Sequence, residues 1–133
     1  MIKKIDHIAI AVNNLDDTLQ LYENLFGLKA AHIKDVPDQG VKSALIPVGD
    51  GSEIEFIEPT DPQGGVAKFL EKKGESIHHI SLEVDDVEKE LRALEEKGIQ
   101  LIDKQARSGM AGKIAFLHPK STRGILIELC QKV

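Results

Sequence analysis

The segment "IDHIAIAVNNLDDTLQLYENLFG", beginning at Ile5, recurs in altered form as "IHHISLEVDDVEKELRALEEKG", beginning at Ile77, and His7 falls on His79. The offset is 79 − 7 = 72 residues, and it returns where Gly40 falls on Gly112 and Pro47 on Pro119. Glu55 in "EIEFIEP" meets Glu128 in "ILIELCQ" at nearly the same spacing, 128 − 55 = 73. Two copies of one supersecondary unit must bury their apolar faces together, since neither is large enough to do so alone. A chain of 133 residues suits one domain and is too short for two independent ones. The expected organisation is therefore a single domain with a first module over about 1–60, a connection over about 61–76 and a second module over about 77–133.

The opening run "IDHIAIAV" alternates with the period of a strand, Ile8, Ile10 and Val12 on one face and His7, Ala9 and Ala11 on the other. The second copy repeats this, with Ile80, Leu82 and Val84 opposite His79, Ser81 and Glu83. Both histidines thus lie on the less apolar face, among small neighbours that leave room beside them. Asn13-Asn14 and Asp85-Asp86 follow the strands and carry good N-cap side chains. Leu15, Leu19, Tyr22 and Leu25 form one helical stripe and Val87, Leu91 and Leu94 its counterpart, with Gly27 and Gly98 as stops. Strands are expected around 29–36, 41–48 and 53–58 in the first copy, and around 100–104, 114–118 and 124–130 in the second. Turn signals "PDQG", "GDGS", "SGMAG" and "PKSTRG" separate them, and "VAKFLEKKG" reads as a short connecting helix. Each module is βαβββ, and the fold class is α+β.

A strand that carries Glu128 puts Leu126 and Cys130 on its face and Ile127 and Leu129 on the other. A carboxylate in so apolar a strand needs a partner, because burying it unpaired is costly. Glu55 stands in the same relation to Ile54 and Phe56. His7, Glu55, His79 and Glu128 together form a nitrogen and oxygen donor set suited to a divalent transition ion such as Co²⁺, Ni²⁺, Zn²⁺, Mn²⁺ or Fe²⁺. His78 has the opposite parity to His79 and reads as a surface or supporting residue, and His32 as solvated. Glu53 and Glu58 read as strand-end surface acids.

The formal charge of −5 is modest and the Lys and Arg residues are interspersed with acids, which argues against nucleic acid. No run is long enough to span a bilayer, and no apolar signal region follows the N-terminal lysines. A lone cysteine, Cys130, agrees with a reducing compartment, so a cytoplasmic location is expected.

The strands "DHIAIAV" and "HHISLEV" in paired βαβββ modules resemble the vicinal oxygen chelate superfamily. Within it, "LYENLFGL", "QGVK", "IEFIEP", "VAKFLEKKGESIHHISLEVDDV" and above all "GKIAFLHPKSTRGILIEL" are similar to the methylmalonyl-coenzyme A epimerases over nearly the whole chain. The resemblance implies a cupped, eight-stranded mixed sheet around a metal held by His7, Glu55, His79 and Glu128. It implies an acyl-coenzyme A substrate, interconversion of (2R)- and (2S)-methylmalonyl-coenzyme A, and a homodimer. Inversion needs a proton removed on one face of the α-carbon and delivered on the other, with the enolate stabilised by a divalent cation. The resemblance implicates Glu128 as one base. Where some bacterial relatives carry a glutamate two places after "QGV", this chain has Ser43, leaving Glu55, Lys42 or a bound water for the second role. Gly109 and Gly112 in "SGMAGK" offer backbone amides to an anionic substrate, Lys120 offers charge, and His118 can orient a neighbour.

Lactoylglutathione lyase, of the same superfamily, uses the same ligand types and is the nearest alternative. A ring-cleaving dioxygenase would leave Glu55 surplus. A drug-sequestering resistance protein of this fold would need no such donor set.

Overall fold

The computed structural model describes residues 1–49, 51–109 and 112–133. Eight strands and three α-helices follow one another as β1 (Ile2–Ala11), α1 (Leu15–Phe26), β2 (His32–Val36), β3 (Val41–Pro47), β4 (Glu53–Pro59), α2 (Gly65–Lys73), β5 (Ser76–Val84), α3 (Val87–Glu96), β6 (Arg107–Ser108), β7 (Gly112–Leu117) and β8 (Ile127–Lys132). The class is α+β, two βαβββ runs joined by α2, as the repeat implies. The chain divides into two compact units, His7–His78 and Met1–Asp6 with His79–Val133. No helix among the described residues is long and apolar enough to cross a membrane.

In the unit His7–His78 the strand order is β2-β3-β4-β1. The β2/β3 and β3/β4 pairs are antiparallel, and β1 runs parallel to β4 with Ala9 opposite Glu55. Asn14 caps α1 by accepting from the Asp17 amide, and Gly27 ends it at φ 69°, a left-handed conformation that costs glycine little. The helix covers Val12, Ala44, Ile46 and Phe56 with Leu15, Leu19 and Tyr22. Burying a ring such as Phe56 contributes about 1.5–3 kcal/mol. On the opposite face, Val66, Phe69 and Leu70 of α2 pack on Ala11, Val41 and Ile57.

The unit containing His79–Val133 repeats the plan with order β5-β8-β7-β6, β5 parallel to β8 and the other pairs antiparallel. Asp86 caps α3 through the Lys89 amide, and Val87 and Leu91 cover Val84, Ala115, Leu117 and Leu129. The other face carries Ile114, Phe116, Cys130 and Leu126.

Three expectations change. The segment 100–104 is not a strand: only Leu101 bridges to Leu117, while the Asp103 carboxylate accepts the Phe116 amide at 2.8 Å. A side chain thus takes a hydrogen bond that a ladder would use, and the module's second strand is instead the two residues Arg107–Ser108, beyond the expected segment. The last strand begins at Ile127 rather than near Gly124, because Arg123 and Gly124 turn the chain with φ of 60° and 88°.

The uniform offset is the third. Register pairs Leu45 with Glu55 and Phe116 with Glu128, so the offset between β3 and β7 is 116 − 45 = 71. Gly112 is then the counterpart of Val41, not of Gly40, and Pro47 matches His118 rather than Pro119. Gly112 is glycine for its own reason. A Cβ there would stand 2.1 Å from the Gln131 carbonyl oxygen. Of the turn signals, Asp50 in "GDGS" and Met110 and Ala111 in "SGMAG" lie outside the described residues.

Candidate functional site

In each unit one histidine and one glutamate share a face of adjacent parallel strands. In the first, His7 on β1 and Glu55 on the adjacent parallel strand share a face, with His7 Nε2 3.3 Å from Glu55 Oε1. In the second, His79 on β5 and Glu128 on β8 do the same, with His79 Nε2 3.7 Å from Glu128 Oε2. Two donors about 2.0–2.2 Å from a common ion stand about 3.0–3.5 Å apart at angles between square and tetrahedral. The first pair falls in that span and the second is slightly wider. Both pairs join an imidazole nitrogen to a carboxylate oxygen, the donor types a divalent metal ion takes, and the first pair has the spacing for one as it stands.

Each carboxylate also accepts from a buried serine. Ser43 Oγ donates to Glu55 Oε2 and Ser81 Oγ to Glu128 Oε1, both at 2.6 Å. Ser43 is therefore brought to Glu55 as a donor. Ser81 was legible only as a small residue sharing the parity of His79; a hydroxyl at a position where size alone asks for alanine is the signal that marks it. Phe116 is a second neighbour that alternation did not single out. Its ring stands edge-on to His79 at 5.2 Å, and the Arg107 guanidinium lies over it at 5.4 Å.

The other candidates are placed elsewhere. Lys42 pairs with Glu58 on the α1 side of its sheet, opposite the face of Glu55. Glu58 there accepts the Leu15 amide at 2.7 Å and so helps start α1, a more specific job than that of a surface acid. His118 caps a 3₁₀ turn, its Nδ1 accepting the Lys120 amide at 3.1 Å, while the Lys120 side chain is exposed. Gly109 and Gly112 border a cleft of about 560 Å³ lined also by Ser108, Lys113, Gln131 and Lys132. His32 is exposed.

Burial shifts two neighbouring groups. Desolvation holds the His78 imidazole below its ordinary value of 6.5, partly opposed by the Glu55 charge, and the ring lies edge-on to Phe69 at 4.9 Å. Desolvation pushes the Cys130 thiol up to about 12, so it stays protonated at neutral pH beside Ser81.

The sequence family described as the glyoxalase/bleomycin resistance protein/dioxygenase superfamily matches residues 6–116. The ethylmalonyl-CoA/methylmalonyl-CoA epimerase of Cereibacter sphaeroides is 36% identical over 134 residues, covering 98% of this chain and 99% of the relative. Among solved structures, methylmalonyl-CoA epimerase from Mycobacterium tuberculosis superposes with a TM-score of 0.95 at 35% identity, covering 99% of this chain and 89% of the other. A methylmalonyl-CoA epimerase in complex with methylmalonyl-CoA and NH4+ gives 0.94 at 34% identity, covering 100% and 96%.

Proposed function

The chain belongs to the glyoxalase/bleomycin resistance protein/dioxygenase superfamily, and from that premise we propose that it is an epimerase interconverting (2R)- and (2S)-methylmalonyl-coenzyme A. The observation that carries this is the full-length similarity to methylmalonyl-CoA epimerases, one of them solved with methylmalonyl-CoA bound. The two histidine–glutamate pairs support it, since they are the donors the chemistry requires.

His7, Glu55, His79 and Glu128 are the residues we assign to one divalent ion, Co²⁺ first. Bound there, such an ion would supply Lewis acidity to stabilise negative charge on the thioester oxygen. Glu128 accepts the α-proton, its carboxylate steadied by Ser81. Inversion requires a second acid/base group, and Glu55 is the assignment: the Ser43 hydroxyl already donates a hydrogen bond to Glu55, and a hydroxyl so engaged is a donor rather than a base. Lys42 faces the α1 side and takes no part in the proton transfer. Gly112, His118 and Lys120 are assigned to the substrate's anionic groups through backbone amides and charge. The working form is a cytoplasmic homodimer acting in propionate metabolism.

The test is an exchange experiment. Metal-loaded protein incubated with methylmalonyl-coenzyme A in deuterium oxide should lose the α-hydrogen and invert the centre together. Absence of exchange, alongside turnover of the methylglyoxal–glutathione adduct, would replace this reading with a lactoylglutathione lyase. Light scattering in the same buffer checks the dimer.

A further inference from the structure

The serine contacts are the same in both units and come from different strands. Ser43 reaches Glu55 from β3, the antiparallel neighbour of β4, whereas Ser81 reaches Glu128 from β5, the parallel neighbour of β8. Register makes Ala9 the counterpart of Ser81, since Ala9 faces Glu55 as Ser81 faces Glu128. It makes Ile114 the counterpart of Ser43, opposite Cys130 as Ser43 is opposite Ile57. Neither serine has a serine at its equivalent position, yet each glutamate receives one buried hydroxyl. Both serines are 0% exposed, so no water competes for them. Size does not account for this: Ala9 fills the place equivalent to Ser81 and is also 0% exposed, so the hydroxyl is an addition to what packing needs.

We propose that Ser43 and Ser81 are positioning residues that hold Glu55 and Glu128 as one-oxygen ligands, each hydroxyl occupying one carboxylate oxygen and turning the other toward the histidine of its own unit. This rests on the metal reading above. The lengths of 2.6 Å are those of charge-assisted O–H···O⁻ bonds, which are strong and directional. The oxygens not bonded to serine are the ones nearest His7 Nε2 and His79 Nε2. A carboxylate gripped in this way cannot rotate to offer both oxygens, and the ligand geometry is set before any ion arrives.

The test uses Co²⁺ alone as the probe. Apo wild type, Ser43→Ala and Ser81→Ala are titrated with Co²⁺ against a chromophoric chelator while the visible cobalt bands and the apo melting temperature are recorded. Each variant should bind Co²⁺ roughly 10–100-fold more weakly with altered bands, while its apo melting temperature stays close to wild type. The decisive variant is Ser43→Ala combined with Ala9→Ser, which moves the hydroxyl to the strand used in the other unit and should recover affinity. Variants binding Co²⁺ within about twofold of wild type with unchanged bands, or a relocated hydroxyl that recovers nothing, would overturn the positioning role. Failure of wild type itself to bind Co²⁺ would overturn the metal reading, and this inference with it.

Discussion

The two histidine–glutamate pairs use the same chemistry in different surroundings. The His7 and Glu55 side chains keep 11% and 13% exposure, whereas His79 and Glu128 keep 5% each. Phe116 closes against His79, and its register counterpart beside Glu55 is Leu45, which offers no ring. The parallel pairs β1/β4 and β5/β8 keep the donors equivalent, at offsets of 79 − 7 = 72 and 128 − 55 = 73. Strands β3 and β7 make the environments differ. The histidine–glutamate pairs thus lie on the repeated strands, and their differing surroundings come from the strands that diverged.

Glutamine substitutions break this comparison most sharply. Glu128→Gln should lower α-proton exchange by about 10³-fold or more, because the more buried carboxylate is the assigned base. Glu55→Gln removes the assigned second acid/base group but leaves the first, so it should lower inversion by about 10²–10⁴-fold while α-proton exchange falls by less than in Glu128→Gln. Equal losses in an exchange assay on metal-loaded proteins would erase the distinction between the two units.

Register makes a stability prediction at Gly112 and Val41. Gly112→Ala should destabilise the apoprotein by about 3 kcal/mol in urea unfolding, since its Cβ would meet the Gln131 carbonyl and the backbone must shift. Val41→Ala at the equivalent position only leaves a cavity, at about 2 kcal/mol. A neutral Gly112→Ala would mean the strands part more easily than their pairing suggests.

The units should also respond to opposite ends of the pH scale. Cys130 has its folded pKa raised from 9.0 to about 12, so its contribution is complete below 9 and is lost as pH rises through 12. The limiting slope is on the order of 1.4 kcal/mol per pH unit, and Cys130→Ala should remove it from urea titrations of the apoprotein. His78 has its folded pKa lowered below 6.5, so its contribution is present above that value and is lost as pH falls through the folded pKa. His78→Phe should flatten that acid limb. A slope unchanged by either substitution would assign the titration to other groups.

The smallest effects should be the most alike. Asn14→Ala and Asp86→Ala each remove the side chain that accepts a first-turn amide, and each should cost about 1 kcal/mol by thermal unfolding. A large difference between them would show that one helix depends on its cap far more than the other.

Much of this was legible from alternation and spacing. The strand periods put His7 and His79 on the less apolar faces of their strands, and the Asn14 and Asp86 caps and the Gly27 stop stand where local chemistry places them. The two-residue β6 was not legible, because the Asp103 side chain takes the Phe116 amide while the Ile102 and Asp103 amides share the Phe116 carbonyl, and no local pattern announces that. Lys42 beside Ser43 looked available for proton transfer until pairing with Glu58 put it on the helix-covered face. Ser81 looked merely small.

By itself the sequence determined the repeated βαβββ plan and the class of the fold and singled out four residues to propose as donors, because a strand's side-chain period and a helix's caps are properties of neighbouring residues. Only the tertiary structure decided which hydroxyl reaches which carboxylate, that Gly112 answers to Val41, and how deeply each pair is enclosed. Those depend on which strands lie side by side and in what register, and a one-residue slip in a loop changes every such neighbour without changing the pattern along the chain.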